Sequence, residues 1–404
     1  MIEGNSLQLS WGSHSPGERD GISRCEHLQC SNCGKLYAVE QINTFATCEK
    51  CIKAPLVVCY STEGLRKTSI DQSECSMWRY MPMLPVFDKR NIVSLGEGFT
   101  PIIELRSTAD RLGLVNLLMK DESFNPTGSF KARGMSMAIS KAKELGIRRC
   151  IVPTAGNAGG AMAAYCAKAG IKAIVVMPRH TPDAFKREVE MFGAELVLVD
   201  GLISDCAKKV REMNADGEYF DMSTMKEPYR LEGKKTMGYE IAEQLNWLLP
   251  DVILYPTGGG TGLIGMWKAF DEMIDMGWIA DRRPRMIAVQ SANCQPIVET
   301  WNGSQTDASA YKGKPTLANG LAVPNPFAEK MILTVLKESG GRPISVEEQE
   351  IVNAQKEVGR TEGVFIAPEG AALFVGLKQM IASGEIRTNE KVLLLNTGSG
   401  YKYI

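Results

Sequence analysis

From about residue 90 onward, short β-branched or leucine-rich runs alternate with helical stretches of ten or more residues, and this alternation restricts the fold more than any other feature. The strand candidates are Asn116–Met119, Cys150–Pro153, Ala173–Met177, Glu195–Val199, Val252–Tyr255, Met286–Gln290 and Val392–Leu395. Between them the pattern predicts helices such as Lys131–Leu145, Ala158–Lys168, Pro182–Phe192, Ser204–Met213 and Lys234–Leu248. Residues 173–177 and 392–395 are apolar throughout, which suits strands covered by helices on both faces. Such alternation predicts an α/β fold built on parallel sheets.

Composition narrows the function. The formal net charge is -1 over 404 residues, which argues against an electrostatic grip on nucleic acid or an acidic membrane. No uninterrupted apolar stretch is long enough to span a bilayer. Residues 1–24 read as a loose polar terminus without a basic start or an apolar signal region, so the expected compartment is the cytoplasm. There are three histidines, His14, His27 and His180, none in a setting that suggests a hydrolase triad or a histidine-rich metal site. Acid–base chemistry therefore falls to lysine or to a cofactor.

Six of the 11 cysteines lie within residues 25–60. Cys30 and Cys33 form one CxxC knuckle, and Cys48 and Cys51 form another, separated from it by 14 residues. Four thiolates at this spacing can close a tetrahedral structural zinc site, and Gly34 suits the tight turn after the first knuckle. A ribbon without metal and a redox-active pair are the competing readings, and Cys25 and His27 are alternative ligands.

The segment Asn125-Pro-Thr-Gly-Ser-Phe-Lys131 reads as a turn that leads into a helix beginning near Lys131. The positive end of a helix dipole disfavours an ammonium group, and a neutral amine is what a Schiff base with a carbonyl cofactor requires. Three further loops follow strand ends, where open α/β sheets bind ligands. Pro153-Thr154-Ala155-Gly156-Asn157 offers backbone N–H groups to a carboxylate and an amide to a phenolic oxygen. Gly258-Gly259-Gly260-Thr261-Gly262 can wrap a phosphate, but it lacks the lysine of a P-loop and the acidic ribose contact of a dinucleotide site. The expected phosphate thus belongs to something smaller than a nucleotide. Thr397, after the last strand, offers a hydroxyl to a ring nitrogen.

From about residue 25 the chain resembles the fold-type II pyridoxal-phosphate enzymes (tryptophan synthase β-like), and within them the threonine synthases. The resemblance rests on the N-terminal ribbon, Trp78-Arg-Tyr80, Leu95-Gly-Glu-Gly-Phe-Thr-Pro101, residues 125–131, Pro228-Tyr-Arg-Leu-Glu-Gly-Lys-Lys-Thr236 and Thr397-Gly398. It implies two parallel-sheet α/β domains behind a zinc-ribbon-like segment. The ribbon would span 25–60, the large cofactor-binding domain 61–134 and 235–404, and the small domain 135–234. It also implies a homodimer.

By matching position, Lys131 would carry the cofactor as a Schiff base and then move protons. Phe130 flanks it, Asn157 would bond the cofactor's 3-hydroxyl oxygen, and Gly258, Gly259, Gly260, Thr261 and Gly262 would hold its phosphate. Thr397 would meet the pyridine nitrogen. Thr154 would face the substrate carboxylate, and Arg230 the substrate phosphate. The implied reaction converts O-phosphohomoserine and water to threonine and phosphate.

The chain departs from that family in the substrate loop, where Ala155 and Ala158 stand at positions that often carry threonine, and at Thr224, Met225 and Ser399. These departures leave the cofactor reading intact. They keep a related threonine or serine ammonia-lyase, or a β-replacement enzyme acting on serine or phosphoserine, as the alternative. A zinc-ribbon binding protein with a degenerate enzyme domain is a third reading, which the intact Lys131, Asn157 and glycine loop oppose.

Overall fold

The computed structural model describes residues 23–39, 51 and 54–404; the expected loose terminus up to residue 22, and Cys48, lie outside the described residues. The first sheet comprises β1 (Cys25–Cys30), β2 (Leu36–Tyr37) and β3 (Leu56–Tyr60). These strands are antiparallel in the order β2-β1-β3, with Leu28 opposite both Tyr37 and Val58. Gly34 takes φ +73 in the knuckle turn and donates its N–H to the Cys30 carbonyl at 3.0 Å. That left-handed conformation is open to glycine at no steric cost.

The alternating region runs β4 (Ile102–Glu104), α1 (Arg106–Leu112), β5 (Asn116–Asp121), α2 (Lys131–Glu144), β6 (Arg149–Pro153), α3 (Asn157–Ala169) and β7 (Lys172–Pro178). It continues with α4 (Asp183–Met191), β8 (Glu195–Val199), α5 (Ile203–Met213), β9 (Phe220–Asp221), α6 (Tyr229–Gln244), β10 (Val252–Pro256) and α7 (Thr261–Asp275). It closes with β11 (Arg285–Ser291), α8 (Pro296–Trp301), α9 (Glu329–Glu338), β12 (Arg342–Val346), α10 (Glu348–Glu362), α11 (Pro368–Ala382) and β13 (Lys391–Asn396).

Two sheets follow from this order. The larger is β12-β11-β10-β13-β5-β4, parallel except for the β4–β5 pair. The smaller is β8-β7-β6-β9, parallel throughout and confined to residues 149–221. The central strands β10 and β13 are buried along almost their whole length, as helices on both faces require.

Each strand expected from the sequence is present, within two residues at either end. The three strands of the alternating region that the sequence did not announce, β4, β9 and β12, all lie at sheet edges. An edge strand buries less apolar surface and so carries a weaker pattern, and β12 tolerates Pro343 for the same reason.

One helix departs from expectation. The stretch expected at Lys234–Leu248 is helical over Tyr229–Gln244. Its start is fixed by Glu227, whose Oε2 accepts the N–H groups of Tyr229 and Arg230 at 2.8 and 2.9 Å. Its end is fixed by Asn246 and Trp247, both at positive φ. Arg230 consequently lies in the first turn of a helix instead of the loop before it.

Candidate active site

A cleft with an enclosed volume of about 100 Å3 opens between the two parallel sheets. It lies at the C-terminal ends of β6, β10 and β13 and at the start of α2. Phe130, Lys131, Thr154, Asn157, Arg230, Gly258, Gly259, Gly260, Thr261 and Thr397 all line it. Residues separated by up to 267 positions in sequence thus meet in one cavity. Gly262 does not line the cleft; a Cβ there would stand 2.1 Å from Tyr255 Oη, so this glycine is dictated by close packing behind the loop.

Lys131 is the first residue of α2, as the sequence implied. Two residues on, the Arg133 guanidinium anchors that helix start. Its Nε meets Glu122 at 2.6 Å and its Nη1 meets Glu240 at 2.5 Å, all three side chains being fully buried. Lys120 completes the network with a 2.8 Å bond to Glu240. Burial alone would raise the Glu240 carboxyl, but Arg133 and Lys120 overcome it and hold the group down at about 2. The network fastens α2, β5 and α6 together beneath the cleft. The Phe130 N–H donates to the Thr397 carbonyl at 3.0 Å, which ties the start of α2 to the end of β13.

The Lys131 amine sits 4.4 Å from the Phe130 ring centroid, with no hydrogen bond or ion pair among the described residues. Burial, reinforced by the Arg230 cation and opposed by Glu369, lowers it to about 7. A half-buried lysine near neutrality is a nucleophilic amine in waiting.

Asn157 opens α3, and its Oδ1 is buried without a partner. The Thr154 hydroxyl accepts the Gly156 N–H at 3.1 Å and so holds the turn that aims this helix start at the cleft. Arg230 is 2% exposed. Its Nη1 donates to the Met222 carbonyl at 2.5 Å, while Nε has no partner and stands 4.0 Å from Glu227 Oε1, itself unpartnered. Burial, opposed by Arg230, raises Glu227 to about 7.

The fit to pyridoxal phosphate can be judged on these atoms. The cavity presents a near-neutral amine, an orphaned amide oxygen, an orphaned guanidinium N–H and a glycine turn at the N-terminus of α7. An aldehyde with an anionic tail satisfies such a set.

Three groups at or beside the cleft escaped the sequence reading. Glu369, in the first turn of α11, receives the Gly320 N–H at 2.6 Å. Tyr403 Oη donates to both Glu369 oxygens at 2.8 and 3.0 Å, and the Asn157 amide approaches the same hydroxyl at 3.5 Å. Lys234, one turn after Arg230, donates to the Thr261 hydroxyl at 3.0 Å. No short motif surrounds Glu369 or Tyr403; Lys234 lies within the stretch 228–236, which carries no separate signal for it.

The remaining sequence motifs of the resemblance hold the framework together. Glu97 of the Leu95–Pro101 stretch accepts Trp78 Nε1 at 2.9 Å and Tyr165 Oη at 2.6 Å. Glu232 accepts Tyr60 Oη at 2.7 Å and pairs with Lys235 at 2.7 Å and Lys268 at 2.5 Å. In the ribbon, the Cys30, Cys33 and Cys51 sulfurs lie within 4.8 Å of one another. Sulfurs bound at about 2.3 Å around one tetrahedral ion stand roughly 3.8 Å apart, so the grouping fits zinc with small adjustment. Among the described residues, no helix is long and apolar enough to cross a membrane.

Comparison with known proteins agrees with this geometry. Residues 93–398 match a family described as "Pyridoxal-phosphate dependent enzyme". The chain is 35% identical to a threonine synthase of Methanocaldococcus jannaschii, over 93% of this chain and 92% of that protein. It is 34% identical to a threonine synthase of Methanosarcina acetivorans, over 92% and 91%. Among solved structures, maize serine racemase superposes with TM-score 0.64 at 21% identity, covering 75% of this chain and 88% of that one. A threonine deaminase of Solanum lycopersicum gives TM-score 0.64 at 21% identity, covering 83% and 92%. These two likenesses establish the shared fold.

Proposed function

The chain belongs to the pyridoxal-phosphate dependent enzyme family, and from that premise we propose that it is a threonine synthase, converting O-phospho-L-homoserine and water to L-threonine and phosphate. The observation that carries the reading is the Arg230 guanidinium, buried in the same cleft as Lys131 with an unpartnered Nε. A buried planar fork of donors is suited to a phosphate. The likeness to curated threonine synthases over more than nine-tenths of the chain supports the same substrate.

In this reading the cofactor, when bound, supplies the electron sink that makes protons next to the amino carbon labile. Lys131 would hold it and, as a free amine, would take and return protons at the substrate carbons. Arg230 grips the departing phosphate. Thr154 and the N-terminus of α3 receive the substrate carboxylate, and Asn157 orients the ring through its phenolic oxygen. Gly258 to Gly262 hold the cofactor phosphate. The Thr397 hydroxyl, which lines the cleft, would face the ring nitrogen as a neutral partner and so moderate the electron sink.

The same proposal includes a structural zinc on Cys30, Cys33, Cys48 and Cys51, supported by the three clustered sulfurs. It divides the chain into a ribbon at 25–60, a large domain at 61–134 and 235–404, and a small domain at 135–234. It places the enzyme in a reducing, cytoplasmic compartment, which suits the free thiols of Cys25, Cys59, Cys150, Cys166, Cys206 and Cys294. It takes the protein as a homodimer, for which exposed Leu95, Phe99 and Phe124 offer apolar surface.

The test is a substrate panel on purified protein. Release of inorganic phosphate and threonine from O-phosphohomoserine is expected. Formation of 2-oxobutyrate from threonine, with phosphohomoserine left untouched, refutes the assignment in favour of an ammonia-lyase.

A further inference from the structure

Lys234 stands apart from the other buried cations of this fold. Its neighbour Lys235 pairs with Glu232 at 2.7 Å and Glu272 at 3.0 Å, and Lys268 pairs with Glu232 at 2.5 Å. Lys120 and Arg133 share Glu240. Lys234 is fully buried, yet it has no carboxylate partner among the described residues. Among the described residues it hydrogen-bonds the Thr261 hydroxyl at 3.0 Å. The charges that bear on it are Lys131 when protonated, Arg230, and Glu227, which also serves Arg230. The Lys131 and Lys234 amines each lie 4.4 Å from the centroid of one ring, that of Phe130.

An ammonium group buried without an anion costs several kcal/mol. The protein answers by holding Lys234 well below the ordinary lysine range, through burial first and then through Lys131 and Arg230. A retained amine in such a place implies an anion that arrives later. Thr261, its hydrogen-bond partner among the described residues, is the first residue of α7 and lines the cleft directly after Gly258–Gly260. That helix start attracts anions through its free N–H groups and its dipole.

We propose that Lys234 is the counter-ion of the cofactor phosphate, acting with the Thr261 hydroxyl and the N-terminus of α7, and that it makes the site select phosphorylated over unphosphorylated pyridoxal. This rests on the cofactor reading above. As the dianion docks, Lys234 takes up one proton from solvent, which leaves one net negative charge on the buried pair for the positive end of α7 to offset in part. In the cofactor-free protein the amine remains neutral, hydrogen-bonded to Thr261.

The test uses full-length, cofactor-free protein, wild type and Lys234→Gln, with pyridoxal phosphate and pyridoxal as separate probes in equilibrium dialysis. Wild type is expected to prefer pyridoxal phosphate strongly. In Lys234→Gln that affinity should fall roughly tenfold to a hundredfold, the size of one charge-assisted hydrogen bond, while pyridoxal affinity stays within about twofold. Calorimetry of pyridoxal phosphate binding at pH 8, in two buffers of different ionisation enthalpy, should show proton uptake by wild type that the variant loses. Thermal unfolding of the cofactor-free variant should be unchanged or improved, because no native ion pair is broken; a clear loss of stability would identify a structural lysine and overturn the proposal. Equal loss of affinity for both probes, or no loss, also overturns it. Wild-type protein that binds neither probe defeats the cofactor reading as well, whereas normal wild-type binding with an unaltered variant defeats this inference alone.

Discussion

The lowered Lys131 amine predicts an unusual pH dependence for cofactor capture. At pH 7 an ordinary lysine near 10.5 is about 0.03% neutral, whereas one near 7 is about half neutral, a gain of roughly 1,500-fold in reactive amine. The sign follows from the charge type. Lys131 is cationic and unreactive below about 7 and neutral above it, so capture should rise about tenfold per pH unit up to that point and then level off. The assay mixes cofactor-free protein with pyridoxal phosphate by stopped flow between pH 5.5 and 9.5 and follows the visible absorbance. Dividing by the rate for methoxyamine, which is neutral throughout this range, removes the ionisations of the aldehyde itself. Arg230→Leu supplies the second perturbation. Burial is the larger cause of the depression and Arg230 the next, so the variant's plateau should begin at higher pH while the limiting rate persists. A wild-type rate that keeps climbing tenfold per unit through pH 9 would refute the reasoning, because it would mean that burial leaves Lys131 an ordinary amine.

The other predictions concern the framework around that amine. Arg133→Met strands the buried Glu122 and Glu240 carboxylates and should cost about 3–5 kcal/mol in urea unfolding; a cost below about 1 kcal/mol would mean that the network adds nothing to holding α2. Gly262→Ala forces a Cβ to within 2.1 Å of Tyr255 Oη and should weaken pyridoxal phosphate binding measured by dialysis. The control Gly359→Ala, in open space on α10, should leave binding intact and raise stability by about 0.5–1 kcal/mol. Cys33→Ser should lower the zinc-to-protein ratio measured by elemental analysis from about one toward zero, and equal metal content in variant and wild type would exclude that thiol as a ligand.

Much of this protein was legible before any coordinates. The parallel α/β class came from strand periodicity and apolar runs, because a strand buried on both faces must be apolar at every position. Lys131, Asn157, the glycine turn and Thr397 were legible because each sits where a strand ends or a helix begins, and those junctions have local signatures. The edge strands β4, β9 and β12 were not, since the pattern that reveals a strand weakens where half its environment is solvent. The true start of α6 was hidden for a related reason: the Glu227 carboxylate that caps it lies among residues whose pattern reads as a loop.

Tertiary structure alone decided which charges meet. Nothing local to Glu369 or Tyr403 says that a carboxyl on α11 and a tyrosine next to the chain's end will bond across the cleft from Asn157. Nothing local distinguishes Lys234, left without a carboxylate, from Lys235, which has two. Periodicity and capping are properties of neighbours along the chain, and the sequence carries them directly. Desolvation and Coulomb interaction depend on distance through space, so the state of each buried amine was set only when the helices closed around it.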